Sequence, residues 1–382
     1  MKVEINKRAK ERLEKLFLWV YKSDILSVED IGEAGVADLV HKGKFVAKAF
    51  VNPESEITAR VLSFENENID GKFFEKRIKR AVLKRDFTNT NSYRLVHSEA
   101  DFLPGLIVDR YGKNLVCSFT TAGMDLFKED IVEILAGLSD VKGIYEKGDK
   151  IRKKEGLSVE SKTLFGEIDE EFLVEENGRK FLIDLKEGQK TGFFLDQRRN
   201  REIVGNLKAE TCLDLFSNAG GFGIYSGADF VKFVEISELA CEQVKINCNL
   251  NKIVNFKVEK SDAFKFLEKG DDIEYDLIVI DPPAFAKSRR EKKGALRGWK
   301  YLIVNSLKLL KEGGYLALFS CSAAVGSKDL LDVALSSAAI DGSFLEVREF
   351  LKQDRDHPYI LNVPNSLYLT GVVLKKESLT AR

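Results

Sequence analysis

The stretch TCLDLFSNAGGFGIYS at 211–226, followed by ADFVKFVEIS at 228–237, decides the reading of this chain. An apolar run leads into Asp214-Leu215-Phe216, and a loop of small residues follows, with Gly220, Gly221 and Gly223. A second apolar run then ends at Glu235, 21 residues after Asp214. Strand, glycine loop, short helix and strand make one parallel unit, and a ligand of such a sheet sits beyond the carboxyl ends of its strands. Small residues let the backbone approach that ligand closely. A carboxylate at the end of the second strand can accept hydrogen bonds from both hydroxyls of a ribose. The glycine spacing is neither the G-x-G-x-x-G of dinucleotide sites nor a P-loop, which needs G-K-[ST] to hold phosphates.

The same rhythm continues outward. NFKVEK (255–260), YDLIVID (275–281) and GYLALFS (314–320) read as further buried strands. SELACEQVKINCNL (237–250) and LRGWKYLIVNSLKLLK (296–311) read as helices between them. Alternating strands and helices predict a parallel sheet covered on both faces. FLEVREFL (344–351) and SLYLTGVVLKK (366–376) can pair as a hairpin, adding antiparallel strands at one edge. The expectation is a Rossmann-like α/β domain with a mostly parallel seven-stranded sheet.

Each strand end carries a polar motif. Ser261-Asp262-Ala263 follows the third strand, where Asp262 can meet an adenine amino group. Asp281-Pro282-Pro283-Ala284-Phe285 follows the fourth. Proline fixes φ and lacks an N–H, so this segment is stiff. Its Asp can hydrogen-bond the edge of a base, and Phe285 can flank a flipped base. Cys321 follows the fifth strand in Ser320-Cys321-Ser322. Alone, a strand-end cysteine is a small hydrophobe; beside Asp281 it is positioned as a nucleophile. AKSRREKKGALRGWK (286–300) adds seven Lys or Arg against one Glu, a basic loop suited to RNA phosphates or simply a solvated one.

The N-terminal half reads differently. VADLVHKGKFVAKAFVNPESEITARVLSF (36–64) alternates apolar and polar residues between turn signals, as in a small β-barrel. KFFEKRIKRAVLKR (72–85) has helical apolar spacing and seven basic residues, open to two readings, a solvated face or an RNA contact. NLVCSF (114–119) is a strand, DLFKEDIVEILAGL (125–138) an amphipathic helix, and EEFLVEENGRKFLIDL (170–185) a hairpin turning at Asn177-Gly178.

Composition bounds the rest. A chain of 382 residues exceeds one ordinary core, and a net charge of −1 excludes a globally basic nucleic-acid binder but not a basic face. Five cysteines without a C-x-x-C pair argue against a disulfide framework or a zinc cluster, so no metal is expected. The charged N-terminus and the lack of a long apolar run point to a cytoplasmic protein with no membrane span.

The order of strand-end motifs resembles class I S-adenosylmethionine-dependent methyltransferases. That resemblance implies that Asp214, Asn218, Gly220 and Gly221 frame the methionine end of the cofactor, that Glu235 binds its ribose and that Asp262 lies near its adenine. Six segments together resemble the RlmI-type family of 23S rRNA 5-methylcytosine methyltransferases. They are VNPESEITARVLS (51–63), RLVHSEADFLPGLIVDRYG (94–112), KTGFFLDQRRNR (190–201), DLFSNAGGFGIYS (214–226), DPPAFAKS (281–288) and SCS (320–322).

The family resemblance implies a PUA-like RNA-binding domain over 1–70, a central α/β domain over 71–186 and the methyltransferase domain over 187–382. It implies that Phe194, Asp196 and Arg198 help to cover the cofactor, and that Asp281 serves both the cofactor and the chemistry. Pro282, Pro283, Phe285, Lys287, Arg289 and Arg290 then face the substrate, with Cys321 as the nucleophile. Its thiolate would add to C6 of a cytosine, making C5 nucleophilic enough to take the methyl group. The expected partner is 23S ribosomal RNA, and family precedent permits a homodimer. A related branch with the same Asp-Pro-Pro segment methylates guanine without a cysteine. An RNA-binding assembly factor that holds the cofactor without turnover is the non-enzymatic alternative.

Overall fold

A computed structural model describes residues 1–29, 34–184, 193–286, 288, 290–322 and 324–377. The chain divides into two compact units. The first comprises Met1–Val174, Asp184–Leu195 and Arg355–Ser366; the second comprises Glu175–Ile183, Asp196–Asp354 and Leu367–Arg382.

The first unit holds two sheets. Its N-terminal sheet has six strands, and the alternation over 36–64 emerges as Gly35–His41, Lys44–Val51 and Ala59–Ser63. Their inward residues Leu39, Ala47, Ala49, Val51 and Val61 pack with Val3 and Ile5. The second sheet has five strands, among them Asn114–Phe119, which matches the expected strand. The expected boundary at 70 separates the two sheets but not two cores. Phe50 and Leu62 of the first sheet lie in one buried cluster with Phe74, Phe119 and Met124. Buried Glu155 ties the same regions together by accepting hydrogen bonds from Asn52 (2.9 Å) and Ser55 (2.6 Å).

The basic helix forms over Gly71–Leu83, capped by Asp70, whose carboxylate accepts from the N–H of Phe73 at 3.1 Å. It buries Phe73, Phe74, Ile78 and Ala81. Two of the seven basic residues in 72–85 are structural. Arg77 donates to the carbonyls of Leu62 and Phe102, and buried Arg85 grips Asp101 through both of its terminal nitrogens. The expected single helix over 125–138 is two pieces, Ala122–Asp125 and Lys128–Ala136. Thr121 caps the first, accepting from Met124 N–H at 3.4 Å, so the helical start lies upstream of the apolar repeat. Asn177 and Gly178 both adopt positive φ (48° and 76°), as a type I′ hairpin turn requires.

The second unit carries the seven-stranded sheet. Its strands are β1 (Thr211–Leu215), β2 (Phe230–Glu235), β3 (Phe256–Lys260), β4 (Tyr275–Ile280), β5 (Leu310–Ser320), β6 (Phe344–Lys352) and β7 (Thr370–Glu377). The order is β3-β2-β1-β4-β5-β7-β6. The first five run parallel, and β7 pairs antiparallel with both β5 and β6. The strand order reverses between β1 and β4, so the cleft beyond their carboxyl ends is the switch point of the sheet.

Among the described residues six α-helices accompany it: α1 (Arg198–Gly205), α2 (Gly221–Ser226), α3 (Glu238–Leu250), α4 (Ala263–Lys269), α5 (Lys292–Leu309) and α6 (Ser327–Asp341). Within the basic stretch 286–300, α5 starts at Lys292. Ala295, Trp299, Leu302, Ile303 and Leu307 bury one face of that helix, and their spacing extends helical structure back into the basic segment. Gly223 has to lack a side chain, since a Cβ there would lie 2.3 Å from Cε1 of Phe233 on β2. Among the described residues no helix is long and apolar enough to cross a membrane.

Candidate active site

The glycine loop leaves β1 through a sharp turn. Phe216 (φ 60°), Asn218 (φ 48°) and Gly220 (φ 81°) all take the left-handed conformation. For the two residues with side chains this costs about 1–2 kcal/mol each, and such strain concentrates at functional sites. The turn aims the Asn218 N–H, which donates to Glu235 Oε2 at 2.9 Å, while Ser237 N–H, just past β2, donates to Glu235 Oε1 at 2.9 Å. Half-buried Glu235 is thus fixed at the carboxyl end of β2.

Asp214 is 1% exposed and accepts one backbone bond, from Gly223 N–H at 2.8 Å. Burial pushes its carboxyl well above the usual carboxylate range. The Gly223 N–H opposes that rise, and the neighbouring charges of Asp281 and Glu235 add to it. The structure therefore gathers Asp214, Glu235 and Asp281 at the ends of three adjacent strands, where Asp281 and Glu235 both act on Asp214 as like charges.

S-adenosylmethionine fits this donor set. It carries an ammonium and a sulfonium, either of which would relieve the repulsion, and a ribose diol that a fixed carboxylate accepts. Gly220 and Gly221 stand in the loop beside it. A Cβ on Gly221 would come within 3.0 Å of Arg201 Cδ, and Arg201 is itself buried against Glu176 in a two-pronged ion pair.

Asp262 occupies the expected strand end, but one of its oxygens has local work. Oδ1 caps α4, accepting from Phe264 N–H (2.9 Å) and Lys265 N–H (3.2 Å). Asp196 and Arg198 are both buried in a network with the C-terminal part of the unit. Tyr368 donates to Asp196 at 2.6 Å, Asp354 N–H donates to the Asp196 carbonyl at 2.9 Å, and Arg198 pairs with Asp354 at 2.7 Å. Phe194 is half-buried and belongs to the first unit.

Asp281 follows β4 and Cys321 follows β5, and these strands are parallel neighbours with Ile280 opposite Leu318. Pro282 is buried, while Pro283 and Ala284 face solvent. Phe285 meets Phe216, Phe264 and Trp299 in an aromatic cluster, so part of its ring is already committed to packing. The two strand-end loops are pinned together where Ser322 donates to the Ala286 carbonyl at 2.6 Å.

Cys321 is half-buried, whereas the other four cysteines are buried. Burial raises the thiols of Cys117, Cys212 and Cys241, and pushes that of Cys248 up to about 12. Arg290 is exposed at the start of the basic segment; Lys287 and Arg289 lie outside the described residues.

Two residues of this site were not anticipated. Buried Gln197 donates its amide to Asp281 Oδ2 at 3.1 Å, and buried Asn200 donates to Gln197 Oε1 at 2.6 Å. Their three-residue spacing puts both on one face at the start of α1, a signal too short to be read as chemistry without the partner across the fold.

Comparison with known proteins agrees with this geometry. Residues 3–64 match a PUA-like domain, and residues 152–361 match an S-adenosylmethionine-dependent methyltransferase family. The chain is 37% identical to the ribosomal RNA large subunit methyltransferase I of Tolumonas auensis over 98% of each chain. It is also 37% identical to that of Vibrio cholerae over 94% of each chain. A candidate S-adenosylmethionine-dependent methyltransferase from Streptococcus mutans shares the fold at a TM-score of 0.83, with 22% identity over 98% of this chain and 100% of that one. Near-full-length identity above a third, a matching cofactor domain and a strand-end carboxylate cluster suited to a sulfonium cofactor converge. The chain belongs to the ribosomal RNA large subunit methyltransferase I family of S-adenosylmethionine-dependent methyltransferases.

Proposed function

We propose that this enzyme forms 5-methylcytosine in 23S ribosomal RNA through a covalent Cys321 adduct. The observation that carries the reading is the placement of Cys321: a partly exposed thiol after β5, next to Asp281 after β4, in a chain whose other thiols are buried. Guanine methylation gives no role to a cysteine at that position. The relatives' names supply the RNA class, and the PUA-like segment supplies a second RNA-binding element.

In this mechanism Asp214, Asn218, Gly220, Gly221, Glu235 and Asp262 hold the cofactor, with Phe194, Asp196 and Arg198 covering it. Bound S-adenosylmethionine supplies the methyl group, carried on its sulfonium. Cys321 loses its proton to solvent and its sulfur adds to C6 of the cytosine, which drives the electron pair onto C5. After C5 has been methylated, a base removes the C5 proton, the C5–C6 double bond returns and the sulfur leaves. Asp281 accepts a hydrogen bond from the base, while Pro282, Pro283 and Phe285 shape its pocket. Lys287, Arg289 and Arg290 meet RNA phosphates. The division of labour follows the expected segments, 1–70 for RNA, 71–186 as a central α/β domain and 187–382 for transfer.

Bisulfite sequencing of 23S rRNA from cells with and without the gene tests this directly. One protected cytosine that loses protection on deletion is the expected result. Unchanged protection, with a missing methylguanine by mass mapping, would replace cytosine with guanine as the target. No missing methyl group at all would leave an RNA-binding assembly factor.

A further inference from the structure

The basic helix Gly71–Leu83 of the first unit has no part in the transfer described so far. Of the seven basic residues in 72–85, four are bonded within the fold. Arg77 donates to the carbonyls of Leu62 and Phe102, and Arg85 grips Asp101. Lys84 reaches the same carboxylate at 3.2 Å, and Lys79 pairs with Glu75 at 2.6 Å. Lys72, Lys76 and Arg80 remain. All three are exposed, and none has an acidic partner among the described residues. They are spaced by four, so they form one row along the helix. At about 1.5 Å of rise per residue, the row is about 12 Å long.

A merely solvated helix face does not look like this. Acids in the first turn and opposite charges three or four residues apart both stabilise a helix, and a solvated face is free to use them. Here the first turn holds no acid, and Lys72 opposes the macrodipole there. Glu75, the helix's one acid, is engaged by Lys79. Lys72–Lys76 and Lys76–Arg80 are like-charge pairs at a spacing that destabilises a helix. Arg80 also acts on Arg77 as a like charge. The helix holds regardless, because Phe73, Phe74, Ile78 and Ala81 are buried and Asp70 caps it. The Arg80 guanidinium lies 5.6 Å from the centroid of the Phe102 ring, which steadies the side chain and leaves its charge in place. Each strand of a nucleic-acid duplex carries about one phosphate per 3.4 Å of axis, so a strand laid along the row passes about three. With a net charge of −1 over the whole chain, attraction for RNA has to come from local rows of this kind.

We propose that Lys72, Lys76 and Arg80 form a phosphate-binding row that positions ribosomal RNA on the first unit, outside the PUA-like segment 3–64. The proposal rests on the RNA class of the substrate in the reading above and is independent of which base is methylated. It deepens that reading by naming a surface that orients the RNA through its backbone without reading its sequence.

The test is binding of the full chain to an unmodified 23S rRNA transcript across a series of salt concentrations. Each phosphate contact contributes about 0.7–0.9 to the slope of log K against log salt. The triple variant Lys72→Gln, Lys76→Gln, Arg80→Gln is expected to flatten the slope by about 2 and to weaken binding roughly 10-fold or more. Its thermal unfolding is expected at or slightly above that of wild type, because repulsion within the helix has been relieved. A charge-matched control, Lys10→Gln, Lys245→Gln, Lys260→Gln, removes lysines already paired with Glu14, Glu242 and Glu238. Its slope is expected to stay within about 0.5 of wild type. A row variant with the wild-type slope, or a control that flattens as much, overturns the proposal and leaves the methylation reading standing. A slope flattened in the row variant alone supports the proposal even if the methylated base proves to be guanine. A wild-type chain that does not hold the transcript at all overturns the proposal together with the RNA reading.

Discussion

Asp101 and Asp214 are both buried aspartates, one in each unit, and they titrate in opposite directions. Burial alone would raise both. At Asp101 the Arg85 guanidinium, the His97 N–H and Lys84 outweigh burial, and the carboxyl ends below its usual range. At Asp214 a single backbone N–H opposes burial while two further carboxylates reinforce it, and the carboxyl ends far above. The same contrast separates the paired acids of the first unit from the strand-end acids of the second. In the first, Arg94 pairs with Asp109 at 2.7 Å, and Arg152 with Asp125 at 2.9 Å. In the second, the carboxylates at the strand ends face one another. A charge that folding has paired is structural, and a charge held against its like is kept for a ligand.

The strongest way to break the comparison is chemical. Cys321→Ala should lower methyl transfer by roughly 10⁴-fold or more, as for other lost nucleophiles, while cofactor affinity stays within a few-fold. Activity close to wild type would remove the covalent mechanism.

Removing one partner of a first-unit pair should be a stability event instead. Asp101→Ala leaves Arg85 buried without its carboxylate and should cost about 3–5 kcal/mol in denaturant unfolding. Asp101 also sets a pH dependence. Its folded pKa lies below the unfolded one, so its contribution is complete above the unfolded value of about 3.9 and is lost as pH falls through the folded value. Acid titration of wild type against the variant should show that loss only in wild type.

Smaller effects belong to the cofactor end. Glu235→Ala should weaken S-adenosylmethionine binding by about 1–3 kcal/mol by calorimetry, the range for a hydrogen bond to a charged group. An unchanged Kd would take the ribose away from Glu235.

Asp214→Asn sharpens the contrast most finely. The folded pKa of Asp214 lies above the unfolded value, so the native state binds its proton more tightly. The resulting cost is absent below the unfolded pKa, grows as pH rises towards the folded one and is complete above it. Asparagine keeps an acceptor for Gly223 without the charge. The cofactor-free variant should melt slightly higher than wild type, by on the order of 1 kcal/mol of stability, and bind the cofactor more weakly. A lower melting point would make Asp214 a structural residue like Asp101.

Much of this was legible before any coordinates. Period-two alternation marked the N-terminal strands, Asn177-Gly178 marked its hairpin, and apolar runs marked β1, β4 and β5, because a strand buried on both faces has little polar side to show. Polar residues at the strand ends singled out Asp214, Glu235, Asp281 and Cys321 as candidates, and folding puts each at or just past the end of its strand, where a parallel sheet presents chemistry. The local pattern could not count structural arginines: Arg77 and Arg85 look like their exposed neighbours in a basic helix, and only the acceptors brought to them by folding distinguish them.

Tertiary structure alone decided the rest. It joined the first two sheets through Phe50 in a shared core, because a side chain's far neighbours are set by packing and not by sequence spacing. It drew Gln197 to Asp281 across 84 positions of chain, and it set the charges of Glu235 and Asp281 beside Asp214, whose carboxyl they help to raise. Residue types and periodicity follow from the sequence, whereas the distances that shift a pKa or complete a hydrogen bond exist only once the chain has closed on itself.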